Sequence, residues 1–442
     1  MTLVRSLRRW DLVALVINSV VGAGIFGLPS QVYALAGPYS LVAWAVSALA
    51  IGLIVLCFAE VGSRFGATGG PYLYTRVAFG PLIGFEVGWL MWVARLAGFA
   101  SVVNLFAAYL ALFVPAYDSE VWRAGVIVVV VVVLSVANIA GVRTSTAITN
   151  VLTVGKVLPL FLLVMAGFFL VDPQRYSFAA APSYGAFSTA ALLAMFAFAG
   201  LESALIPAGE MRDPQRHVPF SLIAGMSVVA ALYICVQAVC IGLVPDLAHA
   251  SRPLSDAAGR IIGRAGESAV AAAALISIAG VMNAIVFASP RILFAMAENG
   301  ELPRVFCSTH PRFRTPVAAI VATTTAGGLV ALLSTFVSAL TISTIVRLVA
   351  YMATCAALPV MRRRIELPPA SFSAPAGPLI SAGAIALGVW LLSNTAWTEL
   401  RLCAMAVLLG VVIYLSCARR TRGVEAAVLS SRPSRFRSEI LR

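Results

Sequence analysis

Apolar runs long enough to cross a bilayer recur along almost all of the 442-residue chain. A spanning helix needs about 20 apolar residues. Twelve candidate spans fall at about 11–36, 40–63, 83–113, 122–141, 146–171, 186–208, 219–244, 268–297, 316–336, 338–361, 377–395 and 400–418. The closest division lies between the ninth and tenth, where the connecting turn at 336–338 is very short. The length would suit two or three soluble domains. The repeated runs predict one all-α integral membrane domain instead. Charged residues make up 11% of the chain, against about a quarter in a soluble domain. The first run is too long for a signal-peptide core and lacks a small-residue cleavage site, so it reads as an uncleaved anchor.

Orientation follows from the arginines. With the N-terminus in the cytoplasm, 22 of the 31 basic residues fall on the cytoplasmic side and six on the other. Three lie deep inside spans, away from their ends: Arg95, Lys156 and Arg347. This bias predicts a cytoplasmic N-terminus over 1–10 and a basic cytoplasmic tail over 419–442, expected to be disordered. It accounts for the net charge of +13 without nucleic acid, because such a tail sits well beside anionic lipid headgroups. The seven cysteines lack metal-ligand spacing, and all three histidines fall in loops. With no nucleophile constellation and no phosphate-binding glycine loop, the pattern points away from an enzyme, and no cofactor or metal is expected.

The first span carries an anomaly. Asn18 to Ser30 reads NSVVGAGIFGLPS, with Gly22, Gly24 and Gly27 close together and Pro29 behind them. Each interior Gly disfavours a helix by roughly 1 kcal/mol against Ala, and an interior Pro by roughly 3 kcal/mol. Lipid offers no hydrogen bonds, so backbone freed there must meet protein, a solute or an ion. Either the helix opens around a bound solute, or the glycines serve a tight helix interface. The sixth span repeats the pattern: Gly200 is followed by Pro207 at the same seven-residue spacing as Gly22 and Pro29. Five spans separate the two segments, and an odd number inverts the second copy. Interrupted helices at corresponding places in inverted halves favour the transport-site reading.

Further motifs occur in order along the chain. Phe58-Ala-Glu60 and Gly69-Gly-Pro-Tyr-Leu-Tyr74 flank the end of span two. Gly200-Leu-Glu-Ser-Ala is followed by Ala208-Gly-Glu210-Met-Arg-Asp-Pro-Gln-Arg216-His-Val-Pro219. Ser289-Pro-Arg-Ile-Leu-Phe-Ala-Met296, Asn299-Gly-Glu-Leu-Pro303 and Thr315-Pro316 come later. Together with Gly22-Ala-Gly-Ile-Phe26, this set resembles the amino acid–polyamine–organocation superfamily of transporters over residues 8–420 or so. The resemblance implies the LeuT-type fold of twelve transmembrane helices. A five-plus-five inverted repeat would occupy about 11–171 and 186–361, with helices 1 and 6 interrupted and two further helices over about 377–418.

In such a fold, amides starting the outer half of helix 1 bind the substrate carboxylate. By resemblance these are Ala23 and Gly24, with Ile25 behind them and Gly22 at the break beside the substrate. Carbonyls at Val20, Phe196 and Ala199, beside Gly200, would take the ammonium group. Side chains of Phe99, Phe196 and Ser203 would select among substrates, with Phe196 either a gate over the substrate or a packed core aromatic.

Lys156 is the single lysine in the chain. A charge at that depth costs roughly 2.5–3.5 kcal/mol, so it should face protein. Thr146, Thr149, Thr153 and Lys156 follow at helical steps and form one polar stripe. By resemblance, a span-five lysine stands where sodium binds in other members. Its ammonium would bond carbonyls at the first break and polar atoms such as Ser289. It either carries a coupled proton or serves as a fixed strut. Glu202 either carries a proton or bonds loose backbone near the break, the second being favoured. Arg95 shares a face with Phe99. It either reads an acidic substrate or forms an internal ion pair with Glu86 or Glu202. Arg347 has no evident partner in the sequence, and Glu60 and Asp11 are expected to meet loop arginines at an inner gate.

The expected function is secondary active transport of an amino acid across the plasma (inner) membrane, by alternating access and proton symport. Sodium-independent exchange, polyamine or organic cation transport, and a non-transporting substrate sensor are the alternatives. The sensor is disfavoured because the soluble tail is too short for an output domain.

Overall fold

The computed structural model describes residues 9–65, 70–114, 119–140, 146–202, 214–364 and 367–430; side chains at 11, 146–154, 214 and 418–430 lie outside that description. The regular structure among the described residues is all helical, with no strand. The helices are α1 (Arg9–Val20), α2 (Ala23–Ala36), α3 (Ser40–Gly62), α4 (Gly70–Phe79), α5 (Pro81–Leu110), α6 (Glu120–Ile139) and α7 (Thr146–Gly167). They continue with α8 (Tyr184–Ala197), α9 (Pro214–Leu243), α10 (Pro253–Glu298), α11 (Val317–Leu333), α12 (Phe336–Arg363), α13 (Gly377–Leu392) and α14 (Trp397–Ser430). Seven stretches among them are long and apolar enough to cross a membrane, and four shorter helices are apolar as well.

Local chemistry sets the boundaries. Ser119 caps α6 by accepting from the Trp122 amide, and Ser183 caps α8 by accepting from Ala186. The short link between α11 and α12 holds because Thr335 and Ser338 form a reciprocal cap, each side chain bonding the other's amide. α10 begins well before the apolar run at 268–297 and bends at Ile262–Gly263, where Gly263 has φ +66. The helix α14 continues past 418 to Ser430, where disorder was expected from 419 onward. Arg, Ala, Glu and Leu in that stretch are good helix formers, so the helix outlasts the apolar run.

Burial sorts the helices. The most apolar window of α5 is 83% buried, against 6% for α6 and 11% for α14. α5 packs against α12, α10, α4 and α11 and forms the axis of the bundle. It carries the polar Arg95, Ser101 and Asn104 inward, while α6 presents a run of valines outward. α1 and α2 pack on α9 and α8 respectively.

Candidate functional site

The first apolar run is two helices. α1 ends at Val20 and α2 starts at Ala23, with Gly22 extended between them at φ −150 and ψ −149. Residues 23–30 are all buried, and the α2 N-terminus has no side-chain cap. Its first amides are therefore donors without helical partners, at the positive end of the helix dipole.

In the second run the α-helix ends early. α8 ends at Ala197, a turn follows, and Gly200 takes φ +114, a conformation that suits glycine. The two breaks touch. A Cβ on Gly200 would lie 2.4 Å from the Ser19 carbonyl oxygen, and one on Gly24 would lie 2.7 Å from Ala197 Cα. The glycines thus serve both readings left open by the sequence: they interrupt helices, and they let the interruptions pack together.

The carbonyls at the end of α1 are almost fully accounted for. Ile17 accepts from the Val21 amide at 2.8 Å. Lys156 Nζ lies 3.5 Å from the Asn18 oxygen, at the limit of a hydrogen bond. The Tyr233 hydroxyl sits 3.1 Å from Val20 O and 3.3 Å from Ala197 O, so one group of α9 bridges both breaks. The ring is wedged between Trp44 and Phe198, with centroids 5.5 and 5.3 Å away. Nearby, Gln237 accepts from Trp44 Nε1 and donates to Pro29 O and Ser40 Oγ. Of the expected ammonium acceptors, Val20 O has Tyr233, and Phe196 O accepts from the Ala199 amide at 2.9 Å.

Glu202 is the hub of the second break. Its Oε1 accepts from Arg347 at 2.5 Å and Arg95 at 3.4 Å. Its Oε2 accepts from Tyr351 at 2.5 Å and the Gly200 amide at 3.2 Å. The expected backbone contact is present, and so is the internal ion pair offered as one reading of Arg95. Arg347 finds the partner that the sequence did not reveal. A small crevice between the α8 break and α12 is lined by Phe196, Ala199, Thr344, Arg347, Leu348 and Tyr351.

Other expected residues are placed as follows. Phe99 is buried against α11, where a Cβ on Gly327 would lie 2.9 Å from its ring. Ser289 donates to Ile285 O of its own helix at 2.7 Å, and Lys156 lies instead beside Gly280. Ser203, Pro207, the 208–213 motif and Gly69 lie outside the described residues, as do the side chains of Asp11, Thr146, Thr149 and Thr153.

At one end of the bundle, Glu60 holds Arg362 through two 2.7 Å bonds and accepts from the Ala374 amide. Arg64 lies 3.8 Å from the same carboxylate. Glu301 pairs with Arg76 and accepts from Tyr72, joining the Gly-Pro-Tyr and Asn-Gly-Glu motifs. Burial raises the Glu301 carboxyl above its ordinary value despite Arg76, and burial followed by the Glu301 charge pushes the Tyr72 phenol up to about 12.

The amino acid permease family model matches residues 7–412. The chain belongs to the amino acid permease family. Similar proteins of Bacillus subtilis agree. A methylthioribose transporter is 28% identical over 95% of this chain and 94% of its own length. The branched-chain amino acid permease BcaP is 26% identical over 95% and 94%. The serine/threonine exchanger SteT is 26% identical over 90% and 92%. With its apolar helices, this permease is a multi-pass membrane protein, and the family's members are transporters, not enzymes. Sequence reasoning missed Tyr233, Gln237 and Tyr351. The available signal was a polar side chain within an otherwise aliphatic span.

Proposed function

We propose that this permease is a secondary active transporter that carries an amino acid across the plasma membrane by alternating access. Twelve spans would form an inverted five-plus-five repeat with two added helices, and both termini would be cytoplasmic. The observation that carries the reading is the contact between two helix breaks, one presenting an uncapped, buried helix N-terminus. Amides of Ala23, Gly24 and Ile25 suit a substrate carboxylate. Carbonyls around the second break, Ala199 among them, suit its ammonium group. Phe196 lines the adjoining crevice and would close over a substrate.

Proton symport is the first mode. Lys156 sits buried beside the end of α1, where a proton on its amine would strengthen the hold on the Asn18 carbonyl and a neutral amine, a weaker donor, would loosen it. Asn18 Oδ1 is buried there without a partner among the described residues, so the junction has spare hydrogen-bonding capacity. Opening of the first break would thereby follow the charge on Lys156. Glu60 with Arg362 and Arg64 would form an inner gate. A second mode, exchange of one amino acid for another, is favoured by relatives whose names are exchangers or antiporters.

The test is uptake of a labelled amino acid panel into proteoliposomes, with and without an inward proton gradient, for the parent and Lys156→Ala. Gradient-stimulated uptake that the variant loses is expected. Uptake that ignores the gradient and requires internal amino acid would make the protein an exchanger.

A further inference from the structure

Glu86 lies on α5 with 8% of its surface exposed, and neither of its oxygens has a hydrogen-bond partner among the described residues. Nine residues place Glu86 and Arg95 on opposite faces of α5, and Arg95 turns to Glu202. Glu86 instead faces α14. A Cβ on Gly410 would lie 2.6 Å from Oε1 and 2.7 Å from Oε2, so the carboxyl sits in the notch this glycine leaves. Among the described residues no charged group faces it there. Arg76 of α4 lies across α5, behind Gly84, and is held by Glu301. α10 meets that far side too, with Met296 at Gly88. Arg347 of α12 is held by Glu202, and α11 carries no titratable side chain. α14 brings Tyr414, packed on Phe85, and Cys403, two turns before Gly410.

A carboxylate can only accept hydrogen bonds. The α14 face before it offers no donor, because amides inside a helix are already bonded along it. An unpaired charge at such a place is costly. A neutral carboxylic acid suits the same place. It has an O–H to donate, and a helical carbonyl keeps a second lone pair to accept one. α14 already serves α5 in this way one turn further on, where Ala406 O accepts from Trp89 Nε1 at 2.9 Å. Glu86 is also five residues from the exposed Pro81 that starts α5, about 8 Å along the helix axis. A proton on Glu86 thus has a short route to that end of the bundle.

We propose that Glu86 is a proton-binding site, held as a neutral carboxylic acid, and that its proton fastens α14 to α5. The site is separate from the helix breaks and does not depend on which solute the permease carries. Loss of the proton leaves a carboxylate pressed on the α14 backbone with nothing to accept from, and α14 loosens from the bundle. The docked helix binds the proton, so docking weakens as pH rises. α14 is suited to such movement, since only 11% of its most apolar window is buried.

The experiment compares the full chain with Glu86→Gln, which keeps the shape and a donor but cannot ionise, both in lipid nanodiscs. The first readout is the infrared difference spectrum, parent minus variant, at neutral pH. The C=O stretch of a protonated carboxylic acid is expected; carboxylate bands in its place would overturn the proposal. The second readout is limited proteolysis at the link before α14, residues 393–396, from mildly acidic to alkaline pH. The parent-to-variant ratio of cleavage rates should climb with pH, by up to roughly tenfold per pH unit, the limit for release of one proton. A ratio that stays flat across that range would overturn the fastening of α14 by the proton. Should Glu86→Gln fail to fold, Glu86→Met, apolar and of similar length, supplies the same comparison.

Discussion

The two helix breaks use the same backbone device and different electrostatics. At the first, between α1 and α2, loose carbonyls meet the Tyr233 hydroxyl and the Lys156 ammonium, and the α2 amides are left uncapped. At the second, after α8, the chain supplies its own carboxylate, and Glu202 gathers two arginines, a tyrosine and the Gly200 amide. One break leaves a helix N-terminus without a side-chain cap; the other is braced by side chains of α5 and α12. The difference teaches that similarly spaced glycines can set where a helix ends while leaving the chemistry of each ending to local residues. Tyr233 is the element common to both, because its hydroxyl faces a carbonyl on each side.

The largest effect should come from Glu202→Ala. It leaves two buried guanidiniums without their shared carboxylate, a loss of about 3–5 kcal/mol. A marked fall in thermal midpoint in detergent would show it, and a loss under about 1 kcal/mol would erase the electrostatic contrast between the breaks. Next comes the pair Gly200→Ala and Gly22→Ala. Gly200 has positive φ and faces the Ser19 backbone, whereas Gly22 has negative φ and would press on the Val281 side chain. Alanine at 200 should therefore cost about 1–2 kcal/mol more than alanine at 22. Equal melting shifts would mean the two breaks are conformationally alike. The smallest effect belongs to Tyr233→Phe, which removes one hydroxyl and should cost about 0.5–1.5 kcal/mol. If Tyr233 ties the breaks together, proteolysis or hydrogen exchange should rise at both α1 and α8; a rise at one alone would assign the hydroxyl to that break.

Much of this was legible in one dimension. Gly22 and Gly200 stand where the α-helix is left, because glycine acts on the backbone within a few residues of itself. The depth of Lys156 marked it as inward-facing for the same local reason. Glu202 was placed near loose backbone, and the Gly200 amide is found there. Arg347 resisted reading because its partner lies 145 residues away, and no periodic pattern links α12 to the α8 break. Ser289 was expected beside Lys156; its hydroxyl turns back to Ile285, since a carbonyl of its own helix is nearer than one across the bundle.

The sequence by itself determined that the chain is helical and membrane-embedded, and where its helices fail. Those properties follow from transfer of side chains out of water and from backbone propensity, which act residue by residue. Only the tertiary structure decided what fills each failure. Tyr233 between two carbonyls, Lys156 at the Asn18 carbonyl, and two arginines on one carboxylate all depend on which helix faces which. In a bundle this apolar, many helix faces can pack against one another almost equally well. The few buried polar groups must each find a partner, and that requirement, met only in three dimensions, fixes the arrangement.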